Sequence, residues 1–303
     1  MTSQISVDRD ERTARLAGIG LMLAGVWAFS FNDAIGKYMV AGYPVGQLLF
    51  LRACASLALL SPLIWRARAE FLRLERPGLH LLRVALSTLE VVAFFTAVIY
   101  LPLADVITYY LACPIFVTAL SALVLREKVG WRRWSAVGIG FCGVLIALRP
   151  SADAITWPAL IALGGCTAFA VLMLVTRSLR GAPDIVLASS QSVGTLVFGA
   201  ALLPLGWQPP TPSAFGLFML MGAISVGALL CINRSLKLAP ASVVVPYQYT
   251  MIVWAVMFGY LVFGDTPQPM TLLGAAIIIA AGIYIFLREQ ALGRNGDAVN
   301  PPA

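Results

Sequence analysis

Arg52 and Glu90 stand inside long apolar runs and carry opposite charges at matching depth. Arg52 lies eight residues beyond Pro44, and Glu90 lies ten before Tyr100, where its run ends. If both runs are helices, a rise of about 1.5 Å per residue puts each side chain about 12–15 Å from the same membrane face. An ionisable group at mid-membrane costs about 2.5–3.5 kcal/mol on the insertion scale. Such groups persist where they face protein or water. The chemistry open to this pair is recognition of a charged or polar solute, or carriage of a coupling proton on Glu90. A purely structural buried ion pair is the alternative.

Other polar side chains qualify by the same test. In "SFNDAIGKYMV" (30–40), Asp33 and Lys37 are one helical turn apart at the far end of an apolar run. An i,i+4 ion pair accounts for them modestly, with Lys37 snorkelling to the interface. Asp33, the deeper of the two, is also a candidate for facing a cavity. Trp27 and Trp254 sit near mid-depth, away from the interfacial belts that aromatic residues favour. Stacking on a flat solute or simple packing would each explain them.

The elements that must position these residues follow from composition. The chain has 303 residues, 60% hydrophobic and only 12% charged, against about 25% charged in a soluble domain. Apolar runs of bilayer length recur at roughly 15–38, 44–65, 79–100, 103–125, 131–149, 156–178, 183–204, 213–236, 240–263 and 270–288. The expected fold class is therefore all-α: a polytopic membrane protein of ten transmembrane helices. The first run is long and lacks a signal-peptide cleavage site, so it reads as a retained helix. The tails, 1–14 and 289–303, are polar and expected to be disordered.

The net charge of +7 reports topology. Of 21 lysines and arginines, all but Lys37, Arg52 and Arg149 fall in the segments on the N-terminal side of the membrane. The positive-inside rule then makes both termini cytoplasmic, and no nucleic-acid partner is implied. The five cysteines, at 54, 113, 142, 166 and 231, stand singly in apolar runs without a Cys-x-x-Cys pair. Packing explains them better than disulfides or zinc, and no metal or cofactor is expected. Nine glycines, Gly18, Gly20, Gly25, Gly138, Gly143, Gly222, Gly227, Gly274 and Gly282, are expected at close helix contacts.

The chain repeats itself. "GVWAFSFNDAIGK" (25–37) lies over "GCTAFAVLMLVTR" (165–177), matching Gly25 with Gly165, Phe29 with Phe169 and Lys37 with Arg177. "PVGQLLFLR" (44–52) lies over "PDIVLASSQ" (183–191), which sets Gln191 against Arg52. "LPLADVITYY" (101–110) lies over "LAPASVVVPY" (238–247), pairing Tyr110 with Tyr247 and Asp105 with Ser242. With five helices per half, the second half enters the membrane upside down, giving two inverted five-helix repeats over 15–149 and 155–288.

The repeat adds further candidates. Gln191 facing Arg52 would suit a polar solute with partial negative charge, although an interhelical hydrogen bond explains it equally well. Tyr110 and Tyr247, with Gln248 beside the latter, fall at opposite thirds of the membrane, where opposed gates would stand. Interfacial aromatic belts are the alternative. Asp105 and Ser242 read as helix-capping residues.

The stretches "FFTAVIYLPLADVITYYLACPIF" (94–116), "LVLREKVGWRRWSAVGIGFCGVLI" (123–146) and "SLKLAPASVVVPYQYTMIVWAVMFGYLVFGDTPQPMTLLGAAIIIAAGIYI" (235–285) resemble the drug/metabolite transporter superfamily, in its EamA-type members. The resemblance covers nearly the whole chain. It implies a ten-helix carrier holding its substrate between two halves. Pro114 fits the proline that the family often places within the last-but-one helix of each half, whereas Pro246 stands several residues early. The opening "FNDAIGKYMVAGYPVGQLLFLR" also resembles a subset that includes riboflavin and S-adenosylmethionine carriers.

These features point to a secondary transporter of a small organic metabolite or drug-like solute, working by alternating access in a bacterial inner membrane. The single Gly-Lys, in "IGKYM", belongs to no phosphate-binding loop, so direct ATP use is not expected. A lipid-modifying membrane enzyme is the alternative. It would need clustered histidines and acids, whereas the chain has one histidine, His80. A channel would need a repeated filter.

Overall fold

The computed structural model describes residues 2–71, 75–113, 115–117, 120, 131–148, 156–179, 181–238 and 244–299. Among these, the main elements are α1 (Thr2–Val40), α2 (Val45–Arg66), α3 (Pro77–Tyr100), α4 (Leu103–Leu111), α5 (Trp131–Leu148), α6 (Trp157–Ser178), α7 (Asp184–Leu202), α8 (Pro212–Leu238), α9 (Met251–Phe263) and α10 (Pro269–Val299). Six carry a stretch long and apolar enough to cross a bilayer, and shorter apolar helices cover 103–117, 247–263 and 269–284. Prolines start several of them. Pro44 and Pro183, which the repeat pairs, stand immediately before α2 and α7, where the missing N–H costs nothing.

The packing has two-fold order. α1 packs on α8 as α6 packs on α3, α1 on α9 as α6 on α4, and α2 on α8 as α7 on α3. Three pairs, α2–α7, α4–α9 and α5–α10, are their own counterparts and so lie on the pseudo-twofold axis. The hydrogen bonds show that the halves are inverted. On one face, Lys37 at the end of α1 bonds Asp265 between α9 and α10. There too the Gln47 side chain at the start of α2 bonds Gln208 between α7 and α8. At the other end of α2 and the start of α3, Arg83 donates to Thr176 at the end of α6 and to the Leu187 carbonyl at the start of α7. Thus α1 ends on the first face and its counterpart α6 ends on the second.

Small residues set the spacing of the paired helices. A Cβ on Gly25 would come 2.7 Å from Ile232 of α8, and one on its counterpart Gly165 would come 2.9 Å from Ala93 of α3. Gly143 packs on the Gly274 carbonyl between α5 and α10. Gly20, Gly138 and Gly227 differ from expectation and face open space. Several hydroxyls within the apolar helices satisfy themselves on the preceding turn. Thr108, Thr167, Ser189 and Ser225 donate to the carbonyls of Ala104, Leu163, Ile185 and Met221, as membrane burial demands.

Two further expectations need correcting. α1 begins at Thr2 and α10 reaches Val299, so most of both polar tails is helical. Extending an existing helix fixes one residue per added hydrogen bond and is far less costly than starting one. The ninth run is not one helix either. A 3-10 segment, Val245–Thr250, with Pro246 in its first turn, precedes α9. In the matching run α4 closes at Ala112, whose N–H bonds Tyr109. Pro114 and Ser242 lie outside the described residues, while Asp105 sits in the first turn of α4 as expected.

Candidate functional site

Arg52 is the centre of the polar interior. Its guanidinium carbon lies 5.4 Å from the ring centroid of Phe95 on α3, a cation–π placement. Asp33 from α1 and Glu90 from α3 both act electrostatically on Arg52 and on each other. All three residues are half-buried. The expected pairing of Asp33 with Lys37 gives way to two more distant partners, Arg52 for the acid and Asp265 for the amine. Neighbours on one helix need not pair when facing helices offer partners at better depth.

Arg52 also lines a cavity of about 100 Å³ between α1, α2, α7 and α8. Its polar wall is Gln191, Ser192 and Thr195 of α7 with Ser225 of α8, and Phe29 and Leu229 supply apolar surface. Arg52 and Gln191, matched by the repeat, therefore meet across one space. Asn32 supports the wall by donating through Nδ2 to Ser225 Oγ at 3.0 Å. Its Oδ1 is buried without a protein partner. Ligand sites span about 300–1,000 Å³, so the space holds a polar fragment rather than a whole metabolite.

The aromatic candidates separate. Tyr110 joins the charged group: its Oη donates to the Glu90 carbonyl at 3.3 Å, and its ring meets Phe94 edge-on at 5.4 Å. Tyr247 is half-buried against Met22, Val26 and Val244, away from Arg52. The two tyrosines still obey the repeat, since Tyr110 also packs near Phe169 of α6 and Tyr247 near Val26 of α1. Gln248 is exposed. Trp27 is 43% exposed, stacks on Phe31 at 5.5 Å and meets Phe258 of α9 at 6.4 Å. Trp254 packs between the main core and the Met22–Val26 cluster, and its indole N–H has no partner. The depth argument that singled out these residues carries no information about which way a helix is rotated.

Several contributors were not singled out from the sequence. Phe95, Ser192, Thr195 and Ser225 are of types common in any membrane helix, and only helix rotation brings them to the cavity. Arg83, one of the basic residues on the N-terminal side of the membrane, is 8% exposed and bridges α3, α6 and α7. Cys113 and Cys166, solitary in sequence, are hydrogen-bonded thiols in one buried cluster across the two halves.

Residues 16–149 and 156–288 each match the sequence profile of the EamA-like transporter family. The chain belongs to the EamA-like transporter family. This EamA protein is 28% identical over 297 residues to a riboflavin transporter of Rhizobium johnstonii, covering 97% of this chain and 98% of that one. It is 26% identical to an S-adenosylmethionine uptake transporter of Rickettsia felis, covering 93% and 97%. A crystal structure of a protein 16% identical superposes with a TM-score of 0.64 over 93% of this chain and 99% of the other, which shows the shared fold. An EamA-family multi-pass membrane transporter is thus the identity that sequence and architecture share.

Proposed function

We propose that this EamA protein is a secondary carrier that moves a small organic metabolite across the bacterial inner membrane by alternating access, with both termini cytoplasmic. The observation that carries the reading is the electrostatic coupling of Asp33, Arg52 and Glu90 within the apolar helices, with Arg52 and Gln191, one from each half, lining a single cavity. A permanently structural pair would be expected to be sealed and charge-balanced. This group holds two acids and one base. The carboxylate that Arg52 does not balance must be neutralised by a proton or by a positive group on the substrate. Either would leave with the site when the carrier turns over, which couples transport to a proton or to substrate charge.

The named relatives supply the first substrates to try. In proteoliposomes of the purified protein, labelled riboflavin and S-adenosylmethionine should be exchanged against internal unlabelled substrate, with trans-stimulation. Flux with neither trans-stimulation nor saturation would indicate a channel. Chemical turnover of a lipid would indicate the enzyme alternative. Exchange that ignores the pH gradient and favours a cationic substrate would assign the balancing charge to the substrate rather than to a proton.

A further inference from the structure

Lys37 Nζ donates to Asp265 Oδ2 at 2.6 Å, with the side chains 14% and 29% exposed. The ammonium also lies 4.6 Å from the Phe263 ring centroid. Asp265 is held at the end of α9, where Gly264 turns left-handed at φ +70° and donates to the Tyr260 carbonyl, and the Asp265 N–H bonds Gly259. Gly264 is the residue type suited to that turn. The pair therefore joins the last turn of α1 in the first half to the end of α9 in the second, at the first face. Asp33 stands one turn deeper on the same helix, within electrostatic reach of Arg52, so a shift of α1 that breaks the pair also displaces an acid of the central group. The cavity at Arg52 extends the other way, past Leu60, Ala188 and Leu229, toward the second face.

We infer that Lys37 and Asp265 form an ionic latch that holds the first face shut. Opening that face breaks the latch, and closing it makes the latch again. The inference rests on the carrier reading above. A merely structural ion pair would affect stability but not the choice between faces.

The test reads accessibility and needs no substrate. In the full chain with its five cysteines replaced, Val226→Cys in the cavity wall is labelled by a membrane-impermeant thiol reagent from each side of the membrane. Asp265→Asn should raise labelling from the first face about fivefold, the scale of one partly exposed ion pair, and lower it from the second. The exchange Lys37→Asp with Asp265→Lys should restore the original ratio. Unchanged labelling, a rise from both faces, or no rescue by the exchange would overturn the inference. If Asp265→Asn does not fold, Lys37→Cys with Asp265→Cys joined by a short thiol crosslinker keeps it testable: labelling from the first face should vanish, and its persistence would refute the latch. Switching accessibility without counterflow would instead count against the carrier reading alone.

Discussion

The Gln47 side-chain amide pairs with the backbone of Gln208 on both of its sides: Nε2 donates to the Gln208 carbonyl at 2.7 Å, and Oε1 accepts from the Gln208 N–H at 3.0 Å. Gln47 is 1% exposed, so one buried side chain ties the Gln208 backbone in the α7–α8 connection to the start of α2. Gln47→Ala leaves both backbone groups unpaired and should lower stability by about 1–3 kcal/mol. Gln47→Glu keeps the acceptor but loses the donor. Thermal unfolding in detergent should rank wild type above both variants; equal midpoints would deny the clamp its role.

Arg83 should behave as a structural cation at the second face. Its Nε donates to Thr176 Oγ1 at 3.1 Å and its Nη1 to the Leu187 carbonyl at 2.9 Å. A lysine cannot reproduce that fork. Arg83→Lys should cost about 1.5–3 kcal/mol, with Thr176→Val costing less because one bond of the two survives. A Thr176→Val midpoint below that of Arg83→Lys would reverse the assignment.

The central charges should be coupled. Arg52→Gln leaves two acids without a base and should fold least well. Removing Glu90 as well, as Gln, should recover part of the loss, because deleting both members of a buried pair is milder than deleting one. The coupling in this double-mutant cycle should be about 1–3 kcal/mol. Strict additivity would show that Glu90 and Arg52 do not share a site.

Glu90→Gln and Asp33→Asn should separate folding from coupling. Each removes one negative charge without changing shape, leaving a neutral centre. If the unbalanced acid carries a proton, one of the two should keep substrate exchange while losing acceleration by a pH gradient. Both retaining full gradient dependence would exclude a proton on either carboxylate.

Glycine positions should differ sharply. A Cβ at Gly199 would come 2.6 Å from the Phe50 backbone nitrogen and 2.8 Å from the Gly46 carbonyl, so Gly199→Val should force α2 from α7 and reduce folded yield. Gly20 faces open space within α1. There, Gly20→Ala should be neutral or stabilise by up to about 1 kcal/mol.

What could be read from the residues was whatever depth and repetition encode. Arg52 and Glu90 stand out because a charge in an apolar run is conspicuous, and Gln191 because the repeat aligns it with Arg52. Rotation about the helix axis was not legible. Trp27 and Gln248 have suitable depth and chemistry, yet one stacks on Phe31 at an exposed face and the other is exposed on a 3-10 turn. Lys37 illustrates the second gap. Its sequence neighbour Asp33 is the obvious partner, but its true one, Asp265, is 228 residues away, and only tertiary packing brings them together.

The self-paired helices α2–α7, α4–α9 and α5–α10 have an energetic consequence. If the halves exchange shapes, a contact on the axis maps onto itself and adds the same free energy to either end state. It strengthens the protein without tilting it. Bias between the two orientations has to come from off-axis differences, where the halves have diverged. Lysine against arginine at 37 and 177 is one such place.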